Sequence, residues 1–354
     1  MKLIIQIPCL DEEAQLPTTL ADLPRELPGI DRVEWLVIDD GSTDRTVDVA
    51  RANGVDHVVR LTNNKGLAAA FQAGLDAALK LGADIVVNTD ADNQYDARDI
   101  PKLIEPILRG DADMVIGDRV IAEVAHFSPL KKRLQHLGSA VVRRASGTNV
   151  PDTTSGFRAY NREAALQLTV VSKYTYTLES VIQAGKMLVA VEHTPIRARQ
   201  VERPSRLFGS MWAYVRRNSV AIFRIYAMYE PLRVFLTAAA LMGALALAFW
   251  IRYLIYLIDG SGRGHLQSVI VGAVLFIAAV QLAALGVMGD ILAGMRTLQQ
   301  RTLERVRRVE LQLGVEPSHY EPGGDGPFGK VQPPTTGADA GPATGKPDRE
   351  TVGL

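Results

Sequence analysis

Three acidic edges, each at the end of an apolar run, carry the residues best suited to chemistry. Asp90-Ala91-Asp92-Asn93-Gln94 follows the run Asp84–Asn88 directly. Two carboxylates flanking one small residue can hold a hard divalent cation, since oxygen ligands and an incomplete shell suit Mg²⁺ or Mn²⁺ and leave places for diphosphate oxygens. Alone, such a triplet is most often a solvated turn, so its neighbours matter. Asp39-Asp40-Gly41-Ser42-Thr43-Asp44 ends the run Glu34–Ile38. Adjacent aspartates before Gly-Ser make a tight strand-to-helix turn, in which one carboxylate is expected either to face a cleft and accept hydrogen bonds from a base or ribose, or to cap a helix. Pro8-Cys9-Leu10-Asp11-Glu12-Glu13 ends the first run, Leu3–Ile7; Pro8 is expected to stop the ladder there and Glu12 to open a helix. No Ser/His/Asp spacing suggests a covalent nucleophile, and His57, His126, His136 and His193 are scattered singly, as structural or solvated histidines are.

The elements that must position these edges alternate. Leu3–Ile7, Glu34–Ile38, Asp84–Asn88 and Met114–Ile116 read as strands, and Asp44–Asn53, Gly66–Leu81 and Ala97–Arg109 as helices between them. Thr43 is placed to cap a helix beginning at Asp44, and the Ala/Leu run Leu67–Leu81 has high helix propensity and ends at Gly82. Such alternation implies an α/β domain with a mainly parallel sheet, which binds ligands outside the carboxyl ends of its strands. All three acidic edges fall there.

The chain has 354 residues, enough for one domain of roughly 200–250 residues with additions. Its 39 Lys+Arg balance 39 Asp+Glu, which argues against a nucleic-acid partner, because that binding needs a basic excess. Cys9 is the single cysteine, so there is no disulfide framework and a reducing compartment is the default. The apolar start at Leu3–Leu10 runs straight into acidic residues and reads as a strand, not a signal peptide.

Val234–Ile251 and Leu266–Gly289 are uncharged stretches of 18 and 24 residues. At ~1.5 Å per residue they are about 27 and 36 Å long and match a hydrocarbon core of ~30 Å. A buried helix pair is the alternative, weakened because both are apolar all round. Arg216, Arg217, Arg224 and Arg233 precede the first and Arg296, Arg301, Arg305, Arg307 and Arg308 follow the second, whereas the connecting loop Asp259–Gln267 carries only Arg263 and Arg252 fits an interfacial end of the first span. The positive-inside rule then expects an inner-membrane, multi-pass protein with its catalytic domain and both termini cytoplasmic. Residues 209–231 mix aromatics with arginines and read as an amphipathic juxtamembrane segment, lying on the membrane or packed on the domain. Leu298, Leu303, Val306, Val309 and Leu313 form a partial stripe over 293–314, suited to a homo-oligomer contact or to a solvated cytoplasmic helix. Residues 315–354 are rich in Pro and Gly and are expected to be disordered.

Together the acidic edges resemble those of the GT-A glycosyltransferases and, more narrowly, of the polyprenyl-phosphate glycosyltransferases, the group of the dolichol-phosphate mannose and glucose synthases. Further marks are Asn64-Lys65-Gly66, Gly117-Asp118-Arg119 and Asp152-Thr153-Thr154-Ser155-Gly156-Phe157-Arg158. The likeness implies a GT-A, Rossmann-like nucleotide-diphospho-sugar transferase domain over residues 1–208, followed by a two-helix transmembrane hairpin at 232–292. It places Pro8, Leu10, Glu12, Ile38 and Asp40 at the base and ribose, and Asp90, Ala91 and Asp92 at the diphosphate. Asp90, Asp92 and Gln94 match the metal positions. Arg119 matches the family's Gly-x-Arg arginine, and Arg133 resembles a second arginine facing the lipid phosphate. Ser205-Arg206 is similar to the Ser-Lys of the family's Gly-Glu-Ser-Lys segment, but Arg203-Pro204 replaces Gly-Glu and Gln200 stands where an arginine is usual, with Arg199 or Arg203 as candidate substitutes.

The acceptor also has a physical argument. A sugar hydroxyl needs a base to attack, whereas a phosphate monoester with second pKa ~6 is largely dianionic at neutral pH and needs cations. Unit charges at ~4 Å repel by ~4 kcal/mol at an effective dielectric near 20, which a metal at Asp92 and the arginines at 119 and 133 would offset. The implied reaction is transfer of a hexose, from a donor of the GDP-mannose or UDP-glucose type, to polyprenyl or dolichyl phosphate with inversion. Two alternatives are a transferase acting on a lipid or polysaccharide hydroxyl, and a non-catalytic membrane-tethered scaffold that binds nucleotide-sugars. Gln200-Val201-Glu202-Arg203-Pro204 imitates the Gln-x-x-Arg-Trp of processive enzymes, with proline in place of tryptophan.

Overall fold

A computed structural model describes residues 1–119, 138–144, 146–171, 175–199, 220, 223–224, 226–260 and 265–321. Arg133 and Arg206, Gln200 and Arg203, most of the juxtamembrane segment, and the tail beyond 321 lie outside the described residues.

The core is a seven-stranded sheet in the order β3-β2-β1-β4-β6-β5-β7. Strands β1 (Lys2–Cys9), β2 (Arg32–Asp39), β3 (His57–Arg60) and β4 (Ile85–Asn88) are parallel; β6 (Arg158–Asn161) runs antiparallel between β4 and β5 (Met114–Asp118); β7 (Val191–Pro195) is parallel to β5. The central strands are apolar on both faces because both are covered. Ile4, Leu36, Ile38 and Val86 pack on one side with helix α3 (Leu67–Lys80), while Leu3, Ile5, Val37 and Val87 pack on the other with α1 (Leu16–Asp22) and α4 (Ile100–Arg109). Gly74 lets α3 approach closely, since a Cβ there would lie 2.7 Å from both Gln6 Oε1 and Ile38 Cδ1.

Several expected boundaries shift for local reasons. The β1 ladder does not stop at Pro8: it runs on to Cys9 against β2, and the missing N–H falls beyond the end of β4, whose pairing ends at Gln6. Glu12 opens a turn, accepting from Gln15 and Leu16, and α1 starts at Leu16. Helix α2 (Thr46–Ala52) begins at Thr46, not Asp44. Asp44 accepts from the Thr46 N–H at 2.9 Å, and Thr43 instead donates to Asp11.

After α5 (Arg162–Gln167) and α6 (Thr177–Lys186), two helices leave the domain: α7 (Pro231–Ile258) and α8 (Leu266–Gln312). Both are long and apolar enough to cross a membrane, and most of their large apolar side chains are exposed, which excludes them as core helices. They pack on each other through small residues: a Cβ on Gly272 would meet the Trp250 indole at 2.4 Å, and one on Gly286 would meet Phe235 at 3.1 Å. Both domain-side ends of the hairpin dock on α6, through Glu230 to Lys186 and through Arg296 to Glu179.

The structure corrects two expectations at the carboxyl end. The helix expected at 293–314 is not a separate element, because α8 continues unbroken for 47 residues, about 70 Å. The tail expected to be disordered from 315 is ordered to 321, where it lies along the β3 edge: Arg60 donates to the His319 carbonyl at 2.9 Å and Glu321 donates to Val58 at 3.1 Å. An exposed edge strand needs such a cover. Of the apolar stripe on α8, Leu298, Val306, Val309 and Leu313 remain exposed, while Gln300, Arg307 and Leu311 face the domain.

Candidate active site

The carboxyl ends of β1, β2, β4 and β5 converge, as parallel pairing demands, and bring the acidic edges to one rim. Beneath the Asp90 loop lies a polar network within the apolar core. Asn88, fully buried, accepts from Gln6 at 2.8 Å and donates to the Gly156 carbonyl at 2.8 Å and to the Tyr176 hydroxyl at 3.0 Å. Tyr176 stacks on Phe71 with ring centroids 4.0 Å apart, and Tyr95 stacks on Phe157 at 5.1 Å. The Tyr95 hydroxyl accepts from the Gly156 N–H at 2.9 Å and helps to lower the Asp90 carboxyl. Gly156 has to be glycine here, because a Cβ would sit 3.0 Å from Asp90 Oδ2 and 2.8 Å from the Tyr176 hydroxyl.

Asp90 and Asp92 flank buried Ala91, and Asn93 takes a left-handed φ of 54°, which asparagine tolerates, to turn the loop. Burial, and then the Asp92 charge, push the Asp90 carboxyl up to about 7, while Arg119 and Arg158 pull against them. Asp92 accepts from the Gln94 backbone N–H at 3.1 Å, and the Gln94 carbonyl accepts from Arg199 at 2.8 Å. Arg199 is thus part of the loop's support, paired with Asp22 and donating to Asn93 Oδ1 at 2.9 Å. This commits the guanidinium that was a candidate for the arginine missing at Gln200.

Among the described residues, Arg119 places a cation at the carboxyl end of β5, near Asp90. Its Nε and one terminal nitrogen grip Asp152 at 2.7 and 3.1 Å, and that nitrogen also donates to Thr154 Oγ1 at 2.8 Å. Burial works against its charge, but the Asp152 carboxylate outweighs it and holds Arg119 firmly protonated. Asp152, fully buried, is held below the usual carboxylate range: burial raises it, and Arg119 more than reverses this. The two motifs read separately in the sequence therefore meet as one bidentate pair. Arg158 underpins it. Fully buried, it donates to the carbonyls of Ser155 at 2.7 Å and Thr153 at 2.9 Å and to Ser180 Oγ at 2.7 Å, and so fixes the loop that carries Asp152.

The second edge differs from expectation. Asp40 does not open to a cleft: it is 3% exposed and accepts from the N–H groups of Lys65 and Gly66 at 2.7 and 2.9 Å, tying the Asn64-Lys65-Gly66 turn to β2. Ile38 is a core side chain packed on α3. Pro8 is buried; Leu10 and Glu12 are partly exposed at the end of β1, and Glu12 donates its N–H to Thr46 Oγ1 at 2.9 Å. Gly41, at φ 76°, lies where a Cβ would be 2.5 Å from the Asn63 backbone, so the Gly-Ser turn packs directly on the neighbouring loop. Among the described residues no three His, Cys, Asp or Glu side chains cluster as metal ligands. The loop after β4 carries the carboxylate pair Asp90 and Asp92.

Residues 4–169 match the description "Glycosyl transferase family 2". The chain is 30% identical over 206 residues to an undecaprenyl-phosphate mannosyltransferase of Micrococcus luteus, covering 55% of this chain and 83% of that protein. The chain belongs to glycosyl transferase family 2. This glycosyltransferase is also 30% identical over 218 residues to the UDP-N-acetylglucosamine–dolichyl-phosphate N-acetylglucosaminyltransferase of Methanococcus voltae, covering 55% of this chain and 85% of the relative. Its GT-A-like fold is shared with the glucosyl-3-phosphoglycerate synthase of Mycobacterium tuberculosis in its UDP complex, with a TM-score of 0.50 and 23% identity over 64% of this chain and 80% of that one. The sequence reading of the glycosyltransferase missed Asp152 as Arg119's partner, and missed Asn88, Tyr95 and Tyr176. A polar Asn88 ending an otherwise apolar strand was the available signal.

Proposed function

We propose that this glycosyltransferase moves a hexose from a nucleotide-sugar, of the GDP-mannose or UDP-glucose type, to polyprenyl phosphate, at the membrane face on which its catalytic domain lies. The observation that carries the reading is the pairing of an acidic loop at Asp90 and Asp92 with a nearly buried, permanently charged Arg119 held by Asp152. Phosphate-bearing partners need cations rather than a base, and among the described residues the rim offers Arg119 without a Ser/His/Asp arrangement. The two relatives named for lipid-phosphate transfer support the same acceptor.

Asp90 and Asp92, with Gln94 beside them, are the residues that would hold Mg²⁺ or Mn²⁺. They fit: two carboxylates repel strongly enough to help push Asp90 up to about 7, and a divalent cation between them relieves that repulsion. When bound, the ion supplies charge neutralisation for the departing diphosphate. Pro8, Leu10 and Glu12 at the end of β1 would border the base and ribose, with Asp40 shaping that wall through the Lys65–Gly66 turn. Arg119 would orient the attacking phosphate, and Arg133 and Arg206 would add cations toward the acceptor and donor. A phosphate oxygen attacks the anomeric carbon as the bond to the nucleoside diphosphate breaks, in one in-line step that inverts the centre. The hairpin α7–α8 would hold the enzyme at the membrane, with the domain and both termini cytoplasmic as the arginine distribution implies.

The test is incubation of purified protein with a polyprenyl phosphate, Mg²⁺ or Mn²⁺ and a panel of labelled nucleotide-sugars. Label from one donor is expected in the lipid fraction, and Asp92→Ala is expected to abolish its appearance. Nucleotide-sugar binding without turnover of any donor would refute the reading.

A further inference from the structure

Beyond the membrane-length part of α8, its stretch from Arg296 to Gln312 and the segment after it make a continuous seam with the catalytic domain. Arg296 donates to buried Glu179 of α6 at 2.8 Å and to the Tyr229 hydroxyl at 3.0 Å, with its guanidinium 4.4 Å from that ring's centre. Arg307, 8% exposed, donates to the carbonyls of Leu166 and Leu168 at 3.0 and 2.7 Å, satisfying the end of α5. Arg308 pairs with Glu163, and Glu310 lies 3.3 Å from Lys80 of α3. Tyr320 then reaches the β3 edge, where its hydroxyl is 2.9 Å from His57 Nδ1, and the other ring nitrogen is 2.8 Å from Glu34. Leu311 and Tyr320 pack against the same apolar cluster as the sheet.

This seam leads to the site. Helix α6, which receives Arg296 at Glu179, presents Ser180 to Arg158, and Arg158 holds the loop of Asp152 that grips Arg119. Tyr176, just before α6, supports Asn88 beneath Asp90.

We infer that residues 296–321 form a docking arm through which an unbroken membrane helix sets the height and tilt of the catalytic domain over the bilayer, with the partly buried Arg296 as its positioning residue. This rests on the acceptor proposed above. A lipid phosphate is confined to the headgroup plane, so the site must be presented at one depth. A flexible tether would leave that depth to chance. A helix without a break transmits it, because its length is fixed at ~1.5 Å per residue.

The test uses the full chain in phosphatidylethanolamine–phosphatidylglycerol vesicles. Seven-residue helical inserts in both membrane helices, between Arg233 and Val234 of α7 and between Leu292 and Ala293 of α8, add about 10 Å to each and return their ends to nearly the same face, so the contacts of the arm and of Tyr229 and Glu230 with the domain are kept while the domain is lifted. Transfer to a vesicle-embedded polyprenyl phosphate is expected to fall at least tenfold in kcat/KM, with transfer to a short, water-soluble isoprenyl phosphate within twofold of the parent. Arg296→Ala is expected to lower the same ratio in the same direction, with nucleoside diphosphate affinity unchanged. Inserts that leave the ratio of embedded to soluble acceptor unaltered, or that lower both equally, overturn the arm. Failure of the parent protein to use either phosphate acceptor would instead overturn the proposed function.

Discussion

Replacing Asp152 by asparagine tests how Arg119 is held. The variant keeps the shape and an acceptor oxygen but removes the charge facing a guanidinium that contacts it at 2.7 and 3.1 Å. At ~3 Å and an effective dielectric near 20 the direct attraction is about 5–6 kcal/mol, much of it offset by desolvation of two nearly buried groups. Breaking one partner of a buried pair costs about 3–5 kcal/mol, and the retained hydrogen bond to Thr154 puts the expectation near the lower end. Freed from its grip, Arg119 is expected to swing toward Asp90, which already feels its charge. Sugar transfer should then fall about tenfold to a hundredfold in kcat, equivalent to about 1.4–2.7 kcal/mol. The assay is kcat and the urea midpoint in detergent for Asp152→Asn, Arg119→Gln and the double variant. Coupling between the two should be about 2 kcal/mol. Independent, additive effects, or an Asp152→Asn enzyme with the parent's kcat and midpoint, would refute the argument that the pair acts as a unit.

Gly156→Ala should cost about tenfold or more in activity and lower the unfolding midpoint by overpacking worth about 1–3 kcal/mol, since the new methyl group presses on Asp90 and Tyr176 at the site's buried floor; steady-state kinetics beside a thermal melt would check it. With Asp90 pushed up to about 7, protons and a divalent cation compete for it, so the half-saturating Mn²⁺ concentration should rise about fivefold from pH 7 to pH 6, and Asp90→Asn should abolish that slope. Glu34 is held down to about 2: burial raises it, but His57 and Lys2 outweigh burial. It therefore contributes stability fully present above its unfolded value of 4.5 and lost as the pH falls toward 2, worth ~3 kcal/mol in all. A pH series of unfolding midpoints should show this acid loss, and Glu34→Gln should flatten it.

The four long or wholly apolar strands and the helix α3 were legible because both sheet faces are covered, which makes such strands nearly continuous apolar runs. Strands β3, β6 and β7 were not. His57–Arg60 has four residues, Arg158–Asn161 reads as a polar motif, and Val191–Pro195 is a half-exposed edge. The acidic edges were found at the correct strand ends, yet their division of labour was not legible. Asp40 turned inward to two backbone N–H groups, and Arg119 took a partner 33 residues away, a contact made by sheet order and not by local spacing. The ordered arm was hidden for a related reason. Pro and Gly dominate the composition after residue 315, but the burial of Tyr320, its hydroxyl at His57, the backbone hydrogen bonds to β3 and the Arg51–Glu321 pair fix the segment.

The central claim is that the acceptor is an anion, recognised by cations, and not a hydroxyl deprotonated by a base. Presenting the enzyme with its donor, a divalent cation and equal amounts of a polyprenyl phosphate and the corresponding polyprenol, and weighing the products by mass spectrometry, tests it directly. The account requires the sugar on the phosphate alone, with the alcohol untouched even when it is the sole acceptor offered. Glycosylation of the alcohol at a comparable rate would contradict it.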